Sequence, residues 1–428
     1  DPDHGWREWT PMTSTGERDE TDLGSRIVYV SVDTGDDGTG QFYFWDGTQV
    51  VDSDGDSYGT DPFEPQGSIQ PFATFDRDLH YRLDVDGTLV SDWVLFRRGE
   101  QFPPTGRLPA VGRSPEEPAL IGAWGPVAEP RPRFDPNGES FHWQANGQLR
   151  IANFVIRSIE VDASGAPEDQ RGGSIGAFQG INDENMPPQG DPDPMSWLFY
   201  EDVRIRGRTQ GMVCMQWVTC NVNRSVFMDM WNPDAHNQGT YISGNQVGLK
   251  VIDSVYYRNG YKVDPHDNAD PTRTIFDRNF YLGGGAQMGV HLDGVLSAYG
   301  GSGGPQVRYG GTVEDSLIIE GYWYVSTTSN DHHAEYLADQ TGSTFDVHDN
   351  VQLVYKYNTP NEPGTSDHRS HPGWGFNVGA GSFGGAFERN IISGQLLRDL
   401  GVDDSFNSHG VKFTGDQVGT SGYYAHDN

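Results

Sequence analysis

Val313-Glu314-Asp315-Ser316-Leu317-Ile318 is one copy of a short pattern that recurs down the middle of this chain. An apolar residue, a polar or charged pair, a small or amide residue and an apolar pair return in outline as Tyr200-Glu201-Asp202-Val203-Arg204-Ile205, Val222-Asn223-Arg224-Ser225-Val226-Phe227 and Ile252-Asp253-Ser254-Val255-Tyr256. Further copies are Phe276-Asp277-Arg278-Asn279-Phe280-Tyr281, Leu292-Asp293-Gly294-Val295-Leu296, Val347-His348-Asp349-Asn350-Val351 and Phe387-Glu388-Arg389-Asn390-Ile391-Ile392. With the small or amide position as marker, Ser225 follows Val203 by 22 residues and Ser316 follows Gly294 by 22. Asn279 follows Ser254 by 25, other intervals reach 29, 34 and 40, and the step from Asn279 to Gly294 is only 15 and fits poorly. A step in the low twenties, lengthened by insertions, predicts stacked coils of short strands sharing one core.

The runs are strands rather than helices because their apolar residues alternate or cluster briefly between Gly, Asn and Asp. Val, Ile, Tyr and Phe suit a pleated, half-buried surface, and 56 glycines with 26 prolines leave little room for long amphipathic helices. Ser225, Ser254 and Ser316, with Asn279, Asn350 and Asn390, are expected at equivalent corners, hydrogen-bonding along the stack. On these residues the chain resembles the right-handed parallel β-helix proteins of the pectin-lyase-like superfamily, mostly secreted polysaccharide-degrading enzymes. The resemblance spans roughly residues 27–415 and is architectural. It implies an all-β fold, a right-handed parallel β-helix (β-solenoid) with an N-terminal capping helix and long loop insertions. Val28-Tyr29-Val30-Ser31 is similar to the opening strand of such domains. The following Ile69-Gln70-Pro71-Phe72-Ala73-Thr74-Phe75 then corresponds to the capping helix, with Phe72, Phe75 and Leu79 as its buried stripe. Residues 1–25 lack the repeat and are expected as an arm or linker, with 26–428 a single β-helix domain.

Composition narrows function. Sixty-one acidic residues against 29 basic ones give a net charge of −32, which argues against binding the nucleic-acid backbone. No apolar run is long enough for a membrane span. Such acidity suits solubility in salty water and points to a secreted, extracellular or periplasmic protein, marine in character, acting as a monomer or homo-oligomer. Cys214 and Cys220 are either two small buried hydrophobes or a local disulfide. Asp52-Ser53-Asp54-Gly55-Asp56 sets three carboxylates at alternate positions, a pattern for a structural Ca²⁺ or for a solvated acidic turn; Phe63 stands where a full EF-hand loop needs Glu.

Eight of the thirteen histidines lie between His236 and His371, about twice an even distribution. Many sit in the insertions, where functional residues gather above a rigid scaffold. His236, His266, His333 and His368 are therefore expected as walls of a groove, with Lys262 and Arg369 beside them. Strand alternation supplies a floor. Val213 and Met215 are taken as inward and Gln216 as outward, while Tyr241, Gln306, Arg308 and Asn377 are each expected on the exposed face. The resemblance implies a polysaccharide bound along such a face.

β-Elimination at a uronic acid needs the substrate carboxylate neutralised, a base for the C5 proton and an acid for the departing O4. Arg308, Gln306 and Asn377 are suited to the first task, His266, His333, His368 or Lys262 to the second, and Tyr241 to the third. Lyases of the resembling family commonly use Lys or Arg as base, and this chain has only four lysines. Glycoside hydrolysis by paired carboxylates, from Asp264, Asp267, Asp331 and Asp367, is the alternative. A non-catalytic carbohydrate-binding or structural solenoid is the third reading.

Overall fold

The computed structural model describes residues 8–82, 84–103, 112–134, 153–165, 196–215, 218–232, 237–243, 248–260, 277–282, 290–300, 305–307, 311–320, 323–327, 345–354, 374–378, 385–388, 390–393, 411–413 and 423–426. They are almost entirely strand, and parallel pairing dominates. The chain divides into two compact units: residues 1–166, 176–205 and 218–225, and residues 167–175, 206–217 and 226–428.

In the first unit, Arg26–Val30, Trp93–Arg97, Ala119–Trp124, Phe154–Arg157, Ser196–Glu201 and Val218–Asn223 pair side by side in one parallel sheet. Phe42–Trp45 and Val50–Val51 extend it antiparallel. Both faces of these strands are buried, so they read as unbroken apolar runs such as Ala119–Trp124. Val28, Val94, Ile121 and Phe154 fill one face. On the other, Ile27, Trp93, Leu120, Val155 and Phe199 form one cluster with Tyr43, Trp45 and Val50 of the same sheet and with Trp9, and Phe63 and Ile69 pack against it. Ring pairs knit this layer, with Trp9 4.9 Å from Phe199 and Tyr29 5.4 Å from Trp124.

The segment expected as an arm is thus built into the unit: Trp9 and Met12 are buried. Asp22 is buried there as well. Its carboxylate accepts hydrogen bonds from Ser14 Oγ (2.5 Å) and from the amides of Thr15 (3.0 Å), Arg18 (2.9 Å) and Gly24 (2.7 Å). Burial alone pushes its pKa up, but these donors outweigh that and hold it at about 2. Arg82 clamps the same loop, donating to the carbonyls of Asp22 and Gly24 and pairing with buried Asp92, which also holds Arg26. The repeat was invisible in residues 8–25 because they cover a sheet rather than form a coil.

The capping helix differs from expectation. The only helix among the described residues is the single turn Arg77–His80, and Leu79 is 56% exposed. Residues near Phe72 are extended instead: the Phe72 amide donates to Tyr29 O (2.9 Å) and its carbonyl accepts from the Ser31 amide (2.9 Å). Pro71 disfavours helix in the residue before it, and pairing with the first strand is available. His80, rather than Leu79, takes the buried place beside Phe72, at 4.2 Å.

The second unit contains three parallel sheets. Sheet I holds Gly248–Ile252, Val290–Asp293, Gly311–Glu314, Phe345–His348, Gly385–Glu388 and Tyr423–His426. Sheet II holds the short strands Val226–Met228, Val255–Tyr257, Leu296–Ala298, Leu317–Glu320, Val351–Val354 and Ile391–Ser393. Sheet III holds Gln210–Met215, Gln238–Ser243, Arg278–Leu282, Gln306–Val307, Trp323–Thr327, Trp374–Val378 and Val411–Phe413.

Passing from sheet I to sheet II, the chain turns through one left-handed residue: Asp253 (φ 47°), Gly294 (63°), Asp315 (46°) and Asp349 (56°). Asp and Gly tolerate this conformation best. The next residue points inward and is bonded by its neighbour in the stack. The Val295 amide donates to Ser316 Oγ (3.1 Å), Ser316 N to Asn350 Oδ1 (3.0 Å), and Asn350 Nδ2 to Asn390 Oδ1 (3.0 Å). In the first unit the same device joins the Val203 amide to Ser225 Oγ (3.1 Å). A second left-handed corner follows the sheet II strands Val226–Met228, Val255–Tyr257 and Leu296–Ala298, at Asp229, Arg258 and Tyr299. There Asp229 binds Arg206 (3.0 Å) and Arg258 (2.6 Å).

Two assignments of the repeat are corrected. Gly294 is the left-handed residue and Val295 the inward one. Asn279 belongs to sheet III, where it bonds Asn259 (2.8 Å) and Ser297 (3.1 Å) inside the unit. That explains the poor 15-residue interval, since it compared two different sheets.

Asn350→Ala leaves the Ser316 amide and the Val313 carbonyl, now 2.9 Å from Nδ2, without their partner. A loss of about 1–3 kcal/mol is expected in denaturant unfolding; an unchanged midpoint would show that the corner ladder is not stabilising. Asp22→Asn is expected to cost about 2 kcal/mol near neutral pH. Because the folded carboxyl is depressed to about 2 from 3.8, the deficit relative to wild type is full above pH 4 and fades as pH falls towards 2. A pH-independent difference would contradict the assignment.

Candidate functional site

Sheet III aligns one row of residues in register across consecutive strands. Register pairs Val213 with Tyr241, Tyr241 with Tyr281, Tyr281 with Gln306, Gln306 with Ser326, Ser326 with Asn377 and Asn377 with Lys412. Three residues singled out from the sequence, Tyr241, Gln306 and Asn377, therefore occupy one row. At about 4.8 Å per strand, Tyr241 to Lys412 spans roughly 24 Å. The scaffold beneath is apolar: Thr240, Ile242, Phe280 and Leu282 are buried, while Tyr241 and Tyr281 are half-buried. The two tyrosine rings stack 5.6 Å apart at 28°. Phe227, Tyr256 and Phe280 stack inside the unit and support this end of the row. Tyr256 Oη lies 2.9 Å from Thr240 Oγ1, and burial raises its pKa.

The alternation expected around Gln216 runs the other way. Met212 is buried and pairs with Thr240, while Val213 shares the row of Tyr241. Several expected residues, Gln216, His236, Lys262, His266, Arg308, His333, His368 and Arg369, lie outside the described residues, as do Asp264, Asp267, Asp331 and Asp367. Tyr281 and Lys412 were missed. The signal for each was its place on an alternating strand one or more coils away, but its alignment with Tyr241 depends on insertion lengths.

A second constellation lies on the exposed face of sheet I. Asp293, Glu314, His348, Glu388 and His426 follow one another in register, and His291 sits two residues before Asp293 on the same face. His291 Nε2 is 3.1 Å from Glu314 Oε1 and 3.9 Å from Asp293 Oδ2. Glu314 Oε2 is 3.2 Å from His348 Nε2, and His348 Nδ1 is 2.9 Å from Asp349 Oδ2. The ligand atoms of His291, Asp293 and Glu314 all fall within 4.8 Å of one another. The sequence signal was present in the repeat, since Asp293, Glu314, His348 and Glu388 hold its second position in successive units.

In the acidic loop, Asp52 is the residue that closes the turn. Asp52 Oδ1 accepts from the Asp54 (3.0 Å) and Asp56 (2.9 Å) amides, and its Oδ2 accepts from Tyr58 Oη (3.1 Å). Its carboxylate closes the turn by itself, and Asp54 and Asp56 are exposed. Asp52, Asp54 and Asp56 do not form a group of converging ligands. Cys220 is buried and disulfide-bonded, which decides between the two readings of its side chain.

No protein-family model matches this chain, and no curated protein or solved structure is found to be similar to it. Among the described residues, no helix is long and apolar enough to cross a membrane.

With no free cysteine, the unfolded chain is expected to yield no titratable thiol until a reductant is added, after which both cysteines react. Thiols appearing in denaturant alone would exclude the disulfide.

Proposed function

We propose that this protein is a right-handed parallel β-helix enzyme, a secreted polysaccharide lyase that cleaves an anionic, uronate-containing glycan by β-elimination. The observation that carries the reading is the in-register row of sheet III. Stacked tyrosines, amides and a lysine at a regular strand spacing match an extended polymer, whose sugars repeat at a similar distance. Aromatic faces accommodate the apolar faces of sugar rings, and amide and ammonium donors suit carboxylates.

Proximity assigns roles. Gln306, with Asn377 and Lys412 further along, holds and neutralises the uronate carboxylate, which acidifies its C5 proton. Tyr281 is one strand, about 4.8 Å, from Gln306, and its hydroxyl protonates the departing O4. Tyr241, one strand further, is the stacking platform for the neighbouring sugar rather than the acid. The base is drawn from Lys262, His266 and His333. In a chain of net charge −32, an anionic polymer must be met by locally placed donors, so loss of Lys412 should tell strongly. The disulfide at Cys220 favours an oxidising compartment, and the acidic composition favours a saline one.

The test is incubation with a panel of uronate-containing, sulfated and neutral polysaccharides. A lyase generates an unsaturated uronate that absorbs in the near ultraviolet. Reducing ends without that absorbance identify a hydrolase, and binding without products a carbohydrate-binding solenoid; either result overturns the proposal. On the active substrate, Tyr281→Phe should lower kcat by about 10²–10⁴ with KM little changed. Tyr241→Ala and Lys412→Ala should chiefly raise KM. Equal kcat for Tyr281→Phe and wild type would remove Tyr281 from the reaction.

A further inference from the structure

We propose that His291, Asp293 and Glu314, on the exposed face of sheet I, form a binding site for a first-row divalent transition-metal cation such as Zn²⁺ or Mn²⁺. The site is separate from the sheet III row and does not depend on the reaction assigned there.

The donor spacing comes first. Ligands at about 2.0–2.1 Å around a tetrahedral ion stand roughly 3.3 Å from one another. His291 Nε2 is 3.1 Å from Glu314 Oε1 and 3.9 Å from Asp293 Oδ2, so an ion seated among them needs only small side-chain movements. The positions are held by backbone rather than by loops. Asp293 and Glu314 are register partners on adjacent strands, and His291 shares a strand and a face with Asp293. Two-residue periodicity and parallel stacking thus bring the three donors together before any ion arrives.

An outer layer is also in place. Glu314 turns its second oxygen to His348 Nε2 (3.2 Å), and His348 Nδ1 meets Asp349 Oδ2 (2.9 Å). Ligating carboxylates and their partners are characteristically oriented through such a relay. Asp349 is itself aimed by the left-handed corner at φ 56°.

Charge supplies an independent argument. On other strands and corners arginine holds such carboxylates: buried Glu201 is met by Arg224 (2.7 Å) and Arg157 (3.8 Å), and partly buried Asp229 by Arg206 and Arg258. Among the described residues, no arginine or lysine pairs with Asp293 or Glu314; their charged-atom neighbours are imidazoles. Two adjacent carboxylates without a fixed cation are what a divalent ion relieves. The side chains are 37%, 29% and 23% exposed, so an ion can enter and retain open positions for water. One imidazole with two carboxylates favours Zn²⁺ or Mn²⁺, because Ca²⁺ takes six to eight oxygens.

The test is calorimetric titration of the full-length, chelator-treated protein with ZnCl₂ and MnCl₂, comparing wild type with His291→Gln, Glu314→Gln and Asp349→Asn. Stoichiometry is read as a difference, because histidine-bearing loops elsewhere can bind these ions. Wild type is expected to bind one more equivalent than His291→Gln or Glu314→Gln, and excess Ca²⁺ should not displace it. Asp349→Asn should keep the site but weaken it by about 10–100-fold. Thermal midpoints in chelator confirm that each variant folds. Identical stoichiometry and affinity in wild type and both ligand variants would overturn the site, as would its loss to excess Ca²⁺.

Discussion

The structure depends on how a chain turns a tight corner without leaving a buried polar group unpaired. At Asp253, Gly294, Asp315 and Asp349 the turn from sheet I to sheet II passes through one left-handed residue and then one inward residue, leaving amides and carbonyls in an apolar interior. Ser316, Asn350 and Asn390 satisfy them from the adjacent strand pair, each serving the corner stacked against it. Corners also bond within themselves, Ser316 Oγ donating to Glu314 O (2.7 Å) and Asn350 Nδ2 to His348 O (2.8 Å), but the bonds to the neighbouring coil are what couple one corner to the next. Register follows from this, and with it the alignment of every outward side chain.

That register turns scattered residues into surfaces. Tyr241, Tyr281, Gln306, Ser326, Asn377 and Lys412 are far apart in sequence but successive in sheet III. Asp293, Glu314 and His348 are likewise successive in sheet I. The first unit uses equivalent strands differently. Its second face is covered by Trp9, Phe63 and Ile69, packed on the rings of Tyr43 and Trp45 in the sheet, and Glu201 accepts the Trp9 indole N–H at 2.7 Å. A covered face adds stability but presents no groove, whereas uncovered faces in the second unit can bind.

Much of this was legible beforehand, for reasons tied to particular residues. The recurrence of Glu314-Asp315-Ser316 and His348-Asp349-Asn350 announces stacked corners, because only small or amide side chains can bond along such a stack. The alternation of Thr240-Tyr241-Ile242 marks Tyr241 as the outward residue between two buried ones. Other features misled. Leu79 stands at helical spacing from Phe72, yet Pro71 and the free backbone of the first strand draw that segment into pairing. Asn279 resembles a corner amide, although it bonds inward from a sheet III strand.

What the amino-acid order determined alone is the coil, since apolar alternation, corner amides and left-handed Asp or Gly positions are local and act over a few residues. The two constellations of side chains were decided only in three dimensions. Insertions between strands range widely in length, so sequence distance says nothing about which strand becomes whose neighbour. Hydrogen bonding between stacked strands makes that choice, and it alone sets His291 beside Glu314 and Tyr281 beside Gln306.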